Sequence, residues 1–75
     1  SLGVFVTEVN KGGAAEKAGL KPWDRFISIN DTAVSTMTDI TGVLSKCKVG
    51  DTIKIQMARE GRVVSMDLVL EEMTK

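Results

Sequence analysis

Seventy-five residues, 43% of them hydrophobic, suffice for one small packed domain, and no apolar run approaches the length of a membrane span. Ten basic and ten acidic side chains cancel, which removes the basic excess of a nucleic-acid binder and the acidic excess of a disordered tail. A single cysteine, Cys47, allows no internal disulfide, and the absence of histidine removes Ser/His and Cys/His catalysis, so the chain is expected to bind rather than catalyse and to need no cofactor.

In chain order, Val4–Val9 is rich in β-branched and aromatic residues and reads as a strand. Asn10-Lys11-Gly12-Gly13 breaks it, and Ala14–Ala18 is a run of good helix formers closed by Gly19. Lys21-Pro22-Trp23-Asp24 is a turn fixed by its proline. Arg25–Asn30 alternates as a strand, with Ile27 and Ile29 on one face and Phe26 and Ser28 on the other. Asn30-Asp31 tolerates the left-handed angles of a tight turn, and a brief extended piece covers Thr32–Val34.

Ser35 or Thr36 can cap the next helix, with Asp39 placed for a capping box behind Thr36. Met37, Ile40, Val43, Leu44 and Cys47 recur at helical spacing, and Val49-Gly50-Asp51 turns the chain. Ile53, Ile55 and Met57 alternate with Lys54 and Gln56 in a strand. Glu60-Gly61 is a hairpin turn, and Arg62–Leu70 returns with Val64, Met66, Leu68 and Leu70 inward. Glu71–Lys75 is polar and expected to fray. This order predicts one α+β domain over 1–75: a small, partly open antiparallel sandwich or barrel of about five strands capped by two helices.

The run from Gly3 to Asn30 resembles a PDZ domain of the bacterial type attached to HtrA-like (Deg) serine proteases. The resemblance is carried by the Gly3-Val4 strand start, the small-residue helix ending Ala18-Gly19-Leu20, the Lys21-Pro22-Trp23-Asp24 turn and the strand ending at Asn30. It extends through Asp39-Ile40, Val43-Leu44, Val49-Gly50-Asp51-Thr52 and Arg59-Glu60-Gly61-Arg62. Trp23 and Asp31 depart from it, since the family usually has glycine at both positions. Trp23 is expected to fold over the edge of the core, the other reading being an exposed contact with a neighbouring domain.

The resemblance implies binding of peptide or protein C-termini with hydrophobic ends, in a groove between a strand and the longer helix. Ser1-Leu2-Gly3-Val4 matches the family's x-hydrophobic-Gly-hydrophobic carboxylate loop, which makes Leu2, Gly3, Val4, Phe5 and Val6 candidate peptide-binding residues. In the HtrA-like order, however, the strand that runs into Asn10–Gly13 follows the groove strand, which places the loop and groove strand upstream of Ser1. The helix wall is expected at Met37, Thr41 and Leu44, one face of the longer helix, with Ile40, Val43 and Cys47 toward the core. On the residues alone, Met37, Ile40, Val43, Leu44 and Cys47 fit a wholly buried core equally well.

The implied parent is a trypsin-type serine protease with its catalytic residues in another domain, located in the cell envelope and tethered to a membrane. A site-2-type metalloprotease or C-terminal processing protease, and a purely structural assembly domain without a groove, are the alternatives. A Gly-Asn-Ser-Gly-Gly motif in the flanking sequence would mark the first parent, and His-Glu-x-x-His the metalloprotease. Expected partners are the parent protease domain and a second copy of the chain at an exposed edge beside the longer helix, with no nucleic acid and no direct membrane insertion.

Overall fold

The computed structural model describes residues 3–71. Its elements follow in the order α1 (Ala14–Ala18), β1 (Arg25–Ile29), β2 (Thr32–Ala33), α2 (Met37–Leu44), β3 (Thr52–Arg59) and β4 (Arg62–Val69). The strands form one open antiparallel sheet in the order β2-β1-β3-β4.

Alternation makes the centre of this sheet. Ile53, Ile55 and Met57 of β3 are all at most 2% exposed, whereas Thr52 and Lys54, which alternate with them, face water. Glu60 and Gly61 both take positive φ (51° and 79°), the twist of a two-residue hairpin, so β4 returns in unbroken register from Arg59↔Arg62 to Thr52↔Val69. Asn30 and Asp31 (φ 51° and 67°) make the equivalent link between β1 and β2. Asn30 also reaches across the sheet: its side-chain oxygen accepts from Lys54 N–H at 2.9 Å, and its own N–H donates to the Lys54 carbonyl at 2.8 Å.

The alternation expected in β1 is interrupted. A bulge between Phe26 and Ser28 inserts Ile27 as an unmatched residue, after which Ser28 and Ile29 are both buried. Ser28 is accommodated because its hydroxyl donates to Gln56 Oε1 at 2.8 Å.

The expected first strand is short. Val4 and Val6 flank an isolated bridge between Phe5 and Arg25, with Phe26 N–H donating to Val4 O and Val6 N–H to Asp24 O. Pairing stops where Trp23 enters a left-handed turn and donates its N–H to Val6 O. The core is Leu20, Ile29, Val34, Ile40, Ile53, Ile55 and Met57, with Val4, Val6, Val43, Leu44 and Cys47 among the half-buried residues packed on it.

Both helices are short and capped as their sequences predict. Gly19 closes α1 in the left-handed region, its N–H donating to Ala15 and Glu16 carbonyls. Thr36 caps α2 in a full capping box with Asp39. The helix ends at Leu44, earlier than the apolar spacing to Cys47 suggests: i→i+3 bonds from Lys46 to Val43 and from Cys47 to Leu44 replace helical ones, while Cys47 stays half-buried.

Candidate functional site

Two kinds of surface carry the polar chemistry, one a buried ion pair and the other an unpaired backbone edge. The ion pair is at the Lys21–Asp24 turn. Asp24 is 1% exposed, and its carboxylate takes Arg59 Nε at 2.9 Å and Arg59 Nη2 at 2.7 Å, a bidentate fork. Lys21 N–H adds a third donor at 3.0 Å, and Arg59 Nη2 also reaches the Gly19 carbonyl at 2.9 Å. The Arg59 hydrogen bonds, more than the opposing desolvation, hold the Asp24 carboxyl below the usual carboxylate range. Nothing short-range in the sequence marks this clamp, because its two halves lie 35 residues apart. It closes the turn between α1 and β1 and is structural.

Trp23, beside it, corrects one expectation. The turn has Lys21 O accepting from Asp24 N–H at 3.2 Å, with Pro22 second and Trp23 third, the position where a type II turn takes glycine. Trp23 has φ 75° and is 73% exposed, so its ring lies off the core instead of folding over it.

The second surface is the Gly3–Val6 segment. The hydrogen bonds on either side of the Phe5–Arg25 bridge make it a wide pair, which turns the Phe5 N–H and C=O away from β1. No described residue bonds them. Val4 and Val6 point to the core, whereas Phe5 is 39% exposed. Gly3 has φ 138°, an angle that favours glycine, and a methyl group there would crowd Arg25 Cδ at 3.1 Å. Arg25 thus lays its side chain against the end of this edge. Leu2, the remaining candidate in the loop, lies outside the described residues.

On α2, Ile40 is buried and Val43 packs on the core, while Met37 is 61% exposed and Thr41 is exposed. Leu44, expected in the wall, is half-buried against the core cluster that also receives Val4 and Val6. Asp39 accepts from Ser35 N–H at 2.9 Å, the largest cause that lowers its pKa, so the helix start carries a fixed negative charge. No helix among the described residues is long and apolar enough to cross a membrane.

The site thus combines an open antiparallel sheet, an unpaired N-terminal edge at Phe5 and a helix on which Met37 and Thr41 are exposed. The profile of the PDZ domain matches residues 1–70, and the chain belongs to that family. Among curated proteins it is similar to the serine protease Do-like HtrB of Bacillus subtilis, with 38% identity over 74 residues, 97% of this chain and 16% of the relative. A protein of Mesorhizobium japonicum named as a zinc metalloprotease is 39% identical over 62 residues, 83% of this chain and 17% of the relative. Among solved structures, an HtrA-type protease, an AlgW variant with a decapeptide, superposes with a TM-score of 0.82 at 25% identity, over 92% of this chain and 21% of that one. The chain therefore spans about one sixth of the curated relatives it matches.

Proposed function

We propose that this PDZ domain binds hydrophobic C-termini by strand addition and serves as the substrate-recognition or regulatory module of an HtrA-like, trypsin-type serine protease of the cell envelope. The observation that carries the reading is the unpaired backbone at Phe5, because strand addition requires a row of N–H and C=O groups with no partner in the chain itself. The backbone of Leu2-Gly3-Val4 would receive the terminal carboxylate, with the aliphatic stem of Arg25 packed against Gly3. Met37, Thr41 and Leu44 would meet the apolar terminal side chain, Met37 adapting to different shapes through its flexible thioether. Catalysis belongs to the parent's protease domain. The decapeptide in the AlgW structure and the Do-like protease relative support this reading; the metalloprotease relative, matching less of the chain, makes a metalloprotease parent the second one.

Calorimetric titration with an apolar-ended peptide and its C-terminally amidated twin tests it. Amidation is expected to weaken binding at least about tenfold, the loss of roughly one charge-assisted hydrogen bond. Equal affinity for the two peptides, or binding to neither, would overturn the proposed site.

A further inference from the structure

We infer that the outer edge of β4 pairs with β4 of a second copy, antiparallel, about a two-fold axis through Met66. This surface is separate from the Phe5 edge and does not depend on peptide binding there; self-association is moved from beside the longer helix to the far end of the sheet.

The backbone pattern comes first. β4 is the last strand of the sheet. Leu70 donates its N–H to Asp51 O and accepts from Gly50 N–H, so in the unbroken register with β3 the even-numbered residues turn their backbone groups inward. Val63, Ser65, Asp67 and Val69 turn theirs outward, and no described residue pairs with them. Folded proteins usually guard such an edge with lysine, proline, a bulge or shortness. The opposite edge, β2, is two residues long. β4 is eight residues long, unbulged, without lysine or proline, and between Val63 and Val69 its one charge is Asp67, which faces Lys54 across the sheet.

The side chains then select the occupant and the register. Val63 and Val69 are 64% and 51% exposed and stand three residues on either side of Met66. A two-fold axis normal to the sheet keeps each face on its own side, so odd-numbered residues oppose odd ones. With the axis at Met66, Val63 covers the second copy's Val69, and Ser65 lies opposite its Asp67, a hydroxyl donor against a carboxylate. Moving the register by two residues one way sets Asp67 against Asp67; the other way sets Val69 against Gly61 and strips its cover. Room exists at the Val69 end, where Ala14, Ala18, Lys17, Asp67, Val69 and Glu71 line a shallow cavity of about 130 Å³ that the incoming Val63 would enter. A guest peptide has no reason to match valines placed symmetrically about one residue, whereas a second copy does.

One strand pair is a small interface, so the dimer is weak and is sought on the order of 0.1–1 mM. Sedimentation equilibrium of the whole chain is expected to show monomer and dimer, and amide exchange at Ser65 and Asp67 is expected to slow with concentration. Val63→Lys, at an exposed position, should raise the dissociation constant at least about tenfold without lowering the melting temperature, while Met37→Lys leaves it unchanged. In a Cys47→Ala background, Met66→Cys should form a covalent dimer under oxidised glutathione, its Cα being about 4.5 Å from its own mate in a wide pair, and Val63→Cys should not. A strict monomer at 1 mM on the order of crystallisation concentrations, a dimer indifferent to Val63→Lys but broken by Met37→Lys, or cross-linking at 63 in place of 66 would each overturn the inference.

Discussion

The β3–β4 hairpin and the flank made by Gly3–Val9 and α2 are built from similar residues but differ in how completely they are paired. In the hairpin every inward residue has a register partner, and three side chains of β3 are at most 2% exposed. In the flank a single bridge at Phe5 holds the segment, and α2 commits only Ile40 fully to the core. Satisfied backbone gives rigidity, and unsatisfied backbone gives the capacity to accept another chain. The two lie on opposite sides of β1, whose Arg25 pairs with Phe5 on one edge and Ala58 on the other.

That contrast can be broken most severely at the clamp behind the hairpin. Asp24→Ala would strand Arg59 and leave the turn donors unanswered, and the expected loss is about 3 kcal/mol, enough to unfold much of so small a domain in a urea titration. The same carboxylate sets an acid limit. Its folded pKa lies below the ordinary value, so its contribution is complete above that value and disappears as the pH falls through the lowered one. Melting temperature is therefore expected to be flat near neutrality and to drop below about pH 4, and a curve with no acid drop would mean the clamp is weak.

On the flank the effects are smaller and separate stability from binding. Thr36→Ala removes the cap that accepts from Asp39 N–H and is expected to cost about 1 kcal/mol, read by chemical denaturation. Trp23→Gly is expected to act in the opposite direction, raising stability by roughly 0.5–1 kcal/mol, because glycine takes the left-handed turn position without strain and little buried area is lost. Met37→Ala should leave stability within about 0.5 kcal/mol while weakening the apolar-ended peptide, since Met37 is exposed. Should Met37→Ala destabilise the domain strongly, α2 would belong to the core and not to a groove.

Local chemistry was legible in the sequence, and long-range pairing was not. The alternation in Ile53–Met57, the Glu60-Gly61 hairpin, the Gly19 stop and the Thr36/Asp39 capping box each depend on residues within a few positions of one another, and all are found. The bulge at Ile27 depends on how β1 registers with β3, which no local pattern fixes. Trp23 looked like a core residue by its size, but the turn angle demanded by Pro22 and Asp24 points it to solvent. The partition of α2 into Ile40 and Val43 inside and Met37 and Thr41 outside follows the spacing, whereas Leu44 leans further onto the core than its face suggested.

The Asp24–Arg59 clamp has a consequence for biosynthesis. Gly19, Lys21 and Asp24 are made early, while the guanidinium that locks them arrives 35 residues after Asp24. A nascent chain that has emerged only to Asp51 lacks the Arg59 fork on Asp24, and it also lacks β3, the central strand on which β1 pairs. The β1–β3 pairing and the clamp therefore form only once the last third of the chain is available, and the sheet is expected to order as a unit.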